Sequence, residues 1–282
     1  MAHDSVPTRL LIRTTAITPA VLQFADTLER SSNYPVVLIF DERARSIDPG
    51  SRTALRLSTA SCVALGLYCP QDFAWKCGDY GYYLARERFP ETQHFWMVEA
   101  DVRFYGNTIA EFFRFFDDHR DVDFLAAHIR PAGHSWFWSR TARARDAIPY
   151  RCLFPVTRLS RSAIVAVLEC RLSQGRYHRR RLLWPNDEAM VATTLLKGGF
   201  TCRDFNDFGR AFYSEKTFYY GEPIDGNNFQ TSHRDVHMVH PILFGDAYAA
   251  RLARQRLPEP RVAWLRRQLQ NTAVKLNAAS RW

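Results

Sequence analysis

Short apolar runs, each followed by polar or acidic positions, recur along the first half of the chain. The clearest begins at His94 and stops on two carboxylates, Glu99 and Asp101. Similar runs lie over 9–15 and 35–41. Apolar runs without alternation are typical of strands that helices cover on both faces. The pattern therefore predicts buried strands of an α/β sheet.

Helical patterns separate these strands. A first helix is predicted to begin at Thr18-Pro19, because proline is favoured at the first helical position. Strand, helix and strand in this order predict a right-handed βαβ unit. Further helices are predicted over 83–89, 107–119 and 161–170, and from Asn186 to Lys197.

The remaining segments complete the predicted fold. The segment 52–64 is helical or mixed, more strands are expected over 121–129 and 200–205, and a loop or lid over 209–228. The fold class is α/β: one Rossmann-like domain over 1–245 with a central, mostly parallel sheet. A basic amphipathic helical extension is expected over 246–282, where it either contacts an anionic membrane surface or packs on the domain.

Composition narrows the class of protein. The chain has 282 residues, of which 46% are hydrophobic, and this argues against disorder. Its net charge of +9 favours an anionic partner: a nucleotide sugar, a phosphorylated lipid, a membrane surface or a nucleic acid. The six cysteines form no Cys-x-x-Cys pair, and no apolar stretch reaches the roughly 20 residues of a membrane span. We therefore expect free thiols and a cytoplasmic location.

The acidic end of the 94–98 run suggests a metal site. Ligands of open α/β sheets bind outside the carboxyl ends of the strands, where Glu99 and Asp101 are expected. Two close carboxylates stay charged when a cation lies between them, and their oxygens suit Mg²⁺ or Mn²⁺ bridging a diphosphate. The alternative is that these acids cap a loop and pair with Arg103 or another arginine.

Other strand ends and loops offer contacts to a nucleotide or sugar. The tip of the first strand, Arg13-Thr14-Thr15, is a candidate nucleotide contact or simply a solvated strand end. Asp41 ends the second predicted strand, and Arg103 is a further candidate. In the aromatic loop over 75–83, Asp79 could accept a hydrogen bond from a ribose or base on which Tyr80 stacks. Alternatively, Asp79 caps the next helix and the tyrosines pack on the sheet. The tryptophans of the loop over 131–139 could line a sugar pocket or form a buried pair.

Paired acids, Asp187 and Glu188, open a late helix. The helix dipole favours acids there, so structure alone could explain them. A carboxylate beside a sugar pocket could also take a proton from an acceptor hydroxyl. Three later histidines, 233, 237 and 240, lie close together in the sequence. Because neither a Cys pair nor a His-Glu-x-x-His motif accompanies them, we expect one of them to be a supplementary metal ligand and do not expect a zinc site.

Taken together, these motifs resemble GT-A-type glycosyltransferases, which use nucleotide-sugar donors. In that superfamily an Asp-x-Asp motif ends a central strand and holds the divalent ion, and Glu99-Ala100-Asp101 occupies that place. Asn186-Asp187-Glu188 resembles the Glu-Asp motif that supplies the base of inverting members, with the acids exchanged. The resemblance implies Glu188 as the base with Asp187 second, and His240 as the further metal ligand with His237 second. The sequence around Glu99 is also similar to polysaccharide-associated glycosyltransferase-like families.

The sequence thus predicts a metal-dependent glycosyltransferase acting on a glycan or glycolipid acceptor in cell-surface polysaccharide or glycolipid synthesis. Mn²⁺ or Mg²⁺ would bind Asp101, Glu99 and His240. One rival is a metal-dependent phosphoesterase or nucleotidyltransferase using the same residues. Another is a non-catalytic basic module that binds membrane or nucleic acid through 176–181 and the tail, although no nucleic-acid-binding motif or Walker loop supports it. Donor sugar, acceptor, stereochemical outcome and oligomeric state are left open.

Overall fold

A computed structural model describes residues 7–41, 46–105, 108–133, 136–141, 148–177, 184–230 and 238–256. The strands are β1 (Thr8–Thr14), β2 (Val36–Asp41), β3 (Ala54–Leu57), β4 (His94–Glu99), β5 (Arg103–Phe104), β6 (Phe124–Pro131), β7 (Tyr150–Ser160), β8 (Cys202–Asp204), β9 (Ile224–Asp225), β10 (Met238–Val239) and β11 (Ile242–Leu243). The helices are α1 (Pro19–Ser32), α2 (Thr59–Ala64), α3 (Phe73–Lys76), α4 (Tyr80–Arg88), α5 (Thr108–Asp117), α6 (Arg161–Gly175), α7 (Asp187–Lys197) and α8 (Gly245–Arg256).

Seven strands form the main sheet in the order β3-β2-β1-β4-β7-β6-β8. Neighbouring strands are parallel except at β7, which runs antiparallel to both β4 and β6. The predicted α/β fold with a central, mostly parallel sheet is confirmed. β4 lies in the middle of the sheet, so its acidic end is at the centre of the carboxyl edge.

Aromatic side chains fill the core on both faces of the sheet. On one face Trp96 of β4 contacts Phe112, Phe113 and Phe116 of α5, with ring centroids 5.1–5.9 Å apart. On the other face Met97 belongs to the cluster that contains the tyrosines of α4. Because β4 is covered on both sides, its sequence shows a continuous apolar run and no alternation.

Polar side chains cap the starts of three helices. Thr18, Ser160 and Asn186 each accept a hydrogen bond from the backbone N–H three residues later. These bonds satisfy first-turn donors that have no intrahelical partner. The segment 52–64, predicted as helical or mixed, is mixed: it contains β3 followed by α2. Ser58 separates the two by forming a capping box with Ser61.

Several predictions fall on residues outside the described ranges. They include His233, His237, most of the basic patch over 176–181, and residues 257–282 of the predicted extension. The division at residue 245 and the membrane contact of the tail therefore stay predictions. Among the helices that the structure describes, none has the length and apolar character needed to cross a bilayer.

Candidate metal and catalytic site

The carboxyl ends of β1 and β4 bring Arg13 beside Glu99. These two residues are register partners in the parallel pair, and the Ala100 N–H donates to the Arg13 carbonyl over 3.0 Å. Side chains of register partners point to the same side of a sheet. The Arg13 guanidinium accordingly donates to Glu99 Oε1. The alternative prediction, that an arginine pairs with these acids, is thus met in part, by Arg13 and not by Arg103.

Backbone pairing between two short strands positions His240 beside Glu99 and Asp101. β5, just after Asp101, pairs antiparallel with β10, just before His240, and the Ile242 N–H donates to the Asp101 carbonyl over 2.9 Å. His240 Nε2 lies 3.7 Å from Asp101 Oδ1 and 3.8 Å from Glu99 Oε2. The predicted trio of Glu99, Asp101 and His240 therefore converges, with all three ligand atoms within 4.8 Å of one another.

The imidazole of His240 is oriented as a metal ligand would be. Its Nδ1 lies 2.8 Å from the Tyr219 carbonyl, which is an acceptor, so Nδ1 carries the proton in the neutral ring. The lone pair is then on Nε2, which faces the two acids. A backbone carbonyl that fixes the tautomer of a ligating histidine is common around metal sites. At 5% exposure, the ring is also shielded from water.

The donor set fits a divalent cation. Donor atoms 3.7 and 3.8 Å apart can each lie roughly 2.1 Å from one ion. Glu99 engages Arg13 through Oε1 and faces His240 through Oε2, so the ion pair leaves one oxygen for a metal. Two carboxylate oxygens and one imidazole nitrogen suit Mn²⁺ or Mg²⁺ with further ligands from water or phosphate.

The electrostatics of the two acids are unequal. Burial and the charge of Glu99 raise the pKa of Asp101. Burial also acts to raise the pKa of Glu99, but Arg13 and His240 outweigh it, and the net shift is downward. Arg13 therefore favours the ionised form of Glu99, whereas no arginine or lysine among the described residues forms a salt bridge with Asp101.

The paired acids of α7 lie next to this cluster. Asp187, 5% exposed, accepts from the Gly78 N–H over 2.9 Å, and its Oδ2 is 3.4 Å from Arg13 Nη1. Glu188 is half-buried and accepts from Asn186 Nδ2 over 3.0 Å. Arg13 therefore contacts both Glu99, a candidate metal ligand, and Asp187 of the acid pair.

Both acids of this pair are poor at holding a charge. Burial raises the pKa of Asp187 to about 7, against the opposing charge of Arg13. Burial and the charge of Asp187 raise the pKa of Glu188 to about 8. A carboxyl group whose pKa lies near neutral pH suits proton transfer at that pH. The shifted values also agree with a functional site, where such perturbations cluster.

Gly78 permits the close approach of these groups. A Cβ atom at this position would lie 1.9 Å from Arg13 Nη1 and 2.5 Å from Asp187 Oδ2. Real Cβ contacts are never so short, so only glycine allows the backbone N–H to reach Asp187. The sequence predicts Arg13, at the end of the first strand, as a nucleotide contact, but it predicts neither the bonds of Arg13 with Glu99 and Asp187 nor a role for Gly78.

Asp79 and Tyr80 require a correction. Arg171 donates to both carboxylate oxygens of Asp79 over 2.8 Å, and Tyr83 donates to one of them over 2.6 Å. Asp79 is 1% exposed, and Tyr80 is fully buried with its hydroxyl donating to the Tyr68 carbonyl. Neither side chain faces an open site for a ribose or base. Asp79 stands at the helix start, as the alternative expected, but its side chain makes no capping bond.

This buried ion pair nevertheless supports the site. Arg171 also donates to the Pro185 carbonyl over 2.8 Å, directly before Asn186 and the acid pair. It therefore joins the start of α4, the body of α6 and the segment that leads into α7. We assign Asp79 and Arg171 a positioning role.

The other predicted contacts are distributed along the same edge. Thr14 Oγ1 donates to the Ala16 carbonyl over 2.8 Å and so stabilises the turn after β1. Asp41 ends β2, which is separated from β4 by β1. Arg103 donates to the carbonyls of Ala100 and Val102, and its guanidinium lies 4.4 Å from the Phe24 ring centroid. Arg103 thus holds the loop that carries Asp101.

Two tryptophans, Trp75 and Trp138, contact each other at the protein surface. Trp75 is 53% exposed, and its ring centroid lies 6.2 Å from that of Trp138. Lys76 Nζ lies 5.4 Å from the Trp138 ring. The short helix with Trp75 and Lys76 ends just before Gly78, so Trp75 is close in sequence to a backbone contact of Asp187.

The fold and the site define a mixed α/β protein with a carboxylate and histidine cluster at the carboxyl edge of its sheet. No protein-family model matches the chain, and no curated protein sequence matches it. Among solved structures it is similar to a glycosyltransferase involved in glycosylation of the major capsid of PBCV-1, with 12% identity, a TM-score of 0.45, and coverage of 88% of this chain and 97% of the other. It is also similar to a putative glucose-1-phosphate thymidylyltransferase from Bacillus anthracis, with 9% identity, a TM-score of 0.41, and coverage of 70% and 86%. Likenesses this distant carry no argument about the activity of the chain.

Proposed function

We propose that the chain is a metal-dependent glycosyltransferase that moves a sugar from a nucleotide-sugar donor to a hydroxyl acceptor. One observation carries the proposal. The ligand atoms of Glu99, Asp101 and His240 converge at the centre of the sheet's carboxyl edge, and Arg13 joins them to the acid pair of α7. A cation site beside carboxyl groups of near-neutral pKa suits departure of a diphosphate and deprotonation of a hydroxyl.

The metal ligands and Arg13 would act on the donor. Mn²⁺ or Mg²⁺ bound by Asp101, Glu99 and His240 would supply positive charge at the leaving diphosphate. Arg13, whose side chain is 15% exposed, adds a fixed positive charge beside that position. The Tyr219 carbonyl keeps Nε2 of His240 directed at the cluster, and Arg103 keeps the Asp101 loop in place.

The contacts favour Glu188 as the base. Both oxygens of Asp187 already accept hydrogen bonds, Oδ2 from the Gly78 N–H and Oδ1 from the Glu188 N–H, each over 2.9 Å. Glu188 is more exposed and bonds Asn186 through Oε2. We therefore assign proton transfer from the acceptor hydroxyl to Glu188, and the placement of Arg13 and Gly78 to Asp187.

The acceptor is proposed to be a glycan or glycolipid. The exposed face of Trp75, beside Trp138, offers an apolar surface that suits the apolar face of a sugar ring. A role in cell-surface polysaccharide or glycolipid synthesis, and peripheral attachment to the inner face of a membrane, belong to the same proposal.

The test is turnover of a panel of nucleotide sugars by the full chain, with Mn²⁺, with Mg²⁺ or with EDTA. We expect ion-dependent release of a nucleoside phosphate together with transfer or hydrolysis of the sugar. Asp101→Asn should abolish this release, whereas Asp118→Asn, an exposed change of the same type on α5's carboxyl side, should not. Release of inorganic phosphate or pyrophosphate would identify a phosphoesterase or nucleotidyltransferase instead. Full activity of Asp101→Asn would refute the metal assignment.

A further inference from the structure

The segment 217–219 holds both the backbone and the ring of His240. The His240 N–H donates to the Thr217 carbonyl over 2.8 Å, and the His240 carbonyl accepts from the Tyr219 N–H over 3.1 Å. The ring Nδ1 donates to the Tyr219 carbonyl over 2.8 Å. The position of this segment therefore determines where Nε2 of His240 lies.

The three candidate metal ligands come from different parts of the fold. Glu99 ends β4 near the centre of the main sheet, and Asp101 follows two residues later. His240 and the segment 217–219 belong to none of the seven strands of that sheet. A contact that fixes the segment relative to the sheet therefore also fixes the imidazole relative to the two acids.

His128 makes such a contact. It lies in β6 of the main sheet, and its Nε2 is 2.9 Å from the Phe218 carbonyl. Because a carbonyl oxygen only accepts, Nε2 of His128 carries the proton and donates. Phe218 lies between the two residues that bond His240, and its ring centroid is 5.6 Å from that of the His240 ring. His128 thus joins the middle residue of the segment to the sheet.

The backbone of His128 has an unusual conformation. Its φ angle is 57°, in the left-handed region that few residues other than glycine adopt. Pairing between β6 and β7 shifts register between Ala127 and Arg130, and an irregularity of this kind redirects a side chain. Such a conformation persists only where the surrounding contacts determine it, and it often occurs at functional positions.

Two buried side chains hold this conformation. The His128 N–H donates to the Tyr213 hydroxyl over 2.9 Å, and this hydroxyl donates to the Asp204 carboxylate over 2.8 Å. Tyr213 and Asp204 are 7% and 9% exposed, and the ring centroids of Tyr213 and His128 are 4.7 Å apart. A chain of contacts therefore runs from the end of β8 through Tyr213 and His128 to the segment that holds His240.

We propose that His128 is a positioning residue of the metal site. Its hydrogen bond to the Phe218 carbonyl holds the segment 217–219 in the place where Nε2 of His240 faces Glu99 and Asp101. His128 acts through this segment and is not itself a metal ligand. The inference rests on the proposed function, because that function supplies the metal site.

Two substitutions separate this role from a purely structural one. His128→Gln places an amide N–H near the position of Nε2 and so keeps the bond to Phe218, whereas the shorter side chain of His128→Asn does not reach that carbonyl. Asparagine, however, tolerates the left-handed backbone better than glutamine does. A positioning role therefore favours His128→Gln, and a role of the backbone conformation alone favours His128→Asn.

The test is calorimetric titration of Mn²⁺ into the metal-free full chain, with urea unfolding in EDTA as the measure of folding. Loss of a group that orients a metal ligand costs about 10- to 100-fold in affinity, and His128 acts one step further away, so we expect a loss of about 3- to 10-fold in His128→Asn. His128→Gln should keep most of the affinity. His119→Asn, a change of a half-buried histidine just after α5, should bind Mn²⁺ as the natural chain does.

The possible results distinguish this inference from the metal site itself. Unchanged affinity in His128→Asn overturns the inference, even if urea unfolding shows a loss of stability, and so does an equal loss of affinity in both His128 variants. If the natural chain binds Mn²⁺ and Asp101→Asn does not, the metal site stands whatever the His128 variants show. If the natural chain binds no Mn²⁺, the metal site and the positioning role are both refuted.

Discussion

The raised pKa of Glu188 predicts how the stability of the protein depends on pH. Burial and Asp187 raise this pKa to about 8, whereas a glutamate in an unfolded chain has a pKa of roughly 4.3. The folded state therefore holds a proton that the unfolded state releases between these values. The contribution of Glu188 is fully present below about pH 4 and is lost as the pH rises towards 8. Replacement of the carboxyl group by an amide should remove this loss.

The magnitude follows from the shift, after a discount for exposure. One pKa unit corresponds to about 1.4 kcal/mol, so the full shift would correspond to several kcal/mol at pH 8. Glu188 is only half-buried, and solvent screening reduces this figure. We expect Glu188→Gln to be more stable than the natural chain by about 1–2 kcal/mol at pH 8 and equally stable near pH 4.5. The amide keeps an oxygen that can accept from Asn186.

Urea unfolding of both proteins, in EDTA, at several pH values from 4.5 to 8.5 measures the difference. The exposed Glu87→Gln on α4 is the matched control and should show no pH-dependent change of this size. Activity provides the second measurement, because the proposed base should be lost in Glu188→Gln even though the fold is stabilised. Parallel stability curves for the natural chain and Glu188→Gln would refute the reasoning.

Further substitutions test the other contacts of the site. Gly78→Ala should reduce activity at least tenfold, because the new Cβ displaces Arg13 or Asp187; steady-state kinetics and a thermal melt separate this effect from unfolding. His240→Ala should weaken Mn²⁺ binding about 10- to 100-fold, as calorimetry would show, by removing the imidazole donor. Arg171→Met should lower the free energy of unfolding by about 3–5 kcal/mol in urea titrations, since it leaves the buried carboxylate of Asp79 unpaired.

The sequence predicted most of the sheet and failed where charged residues or proline interrupt a strand. β7 was not predicted as a strand, and Pro155 and Arg158 are residues that argue against a central strand there. Pairing between β6 and β7 shifts register around Pro155, which removes the need for its missing N–H. Arg158 is 2% exposed because three backbone carbonyls, those of Phe116, His119 and Val122, accept from its guanidinium. Such a partner set cannot be read from local pattern.

In the site, too, local sequence patterns located individual residues but not the contacts between residues that are distant in the sequence. The end of an apolar run located Glu99 and Asp101, and a helix start located Asp187 and Glu188. Arg13 connects the two groups of acids, although it is 86 positions from Glu99 and 174 positions from Asp187 in the sequence. Only the fold shows this connection. Asp79 was assigned to a ligand because its partner Arg171, 92 positions away, gave no local indication.

A charge count across the site explains why a cation belongs there. Among the described residues, Arg13 contacts Glu99 and Asp187, whereas Asp101 and Glu188 form no salt bridge with an arginine or lysine. Burial is the main cause that raises the pKa values of Asp101, Asp187 and Glu188, and the charge of a neighbouring acid raises each of them further. Retained protons and a bound cation are the two ways to relieve this repulsion. Arg13 already stabilises Glu99, so a divalent ion would act most strongly on Asp101, which has no arginine or lysine within salt-bridge distance among the described residues.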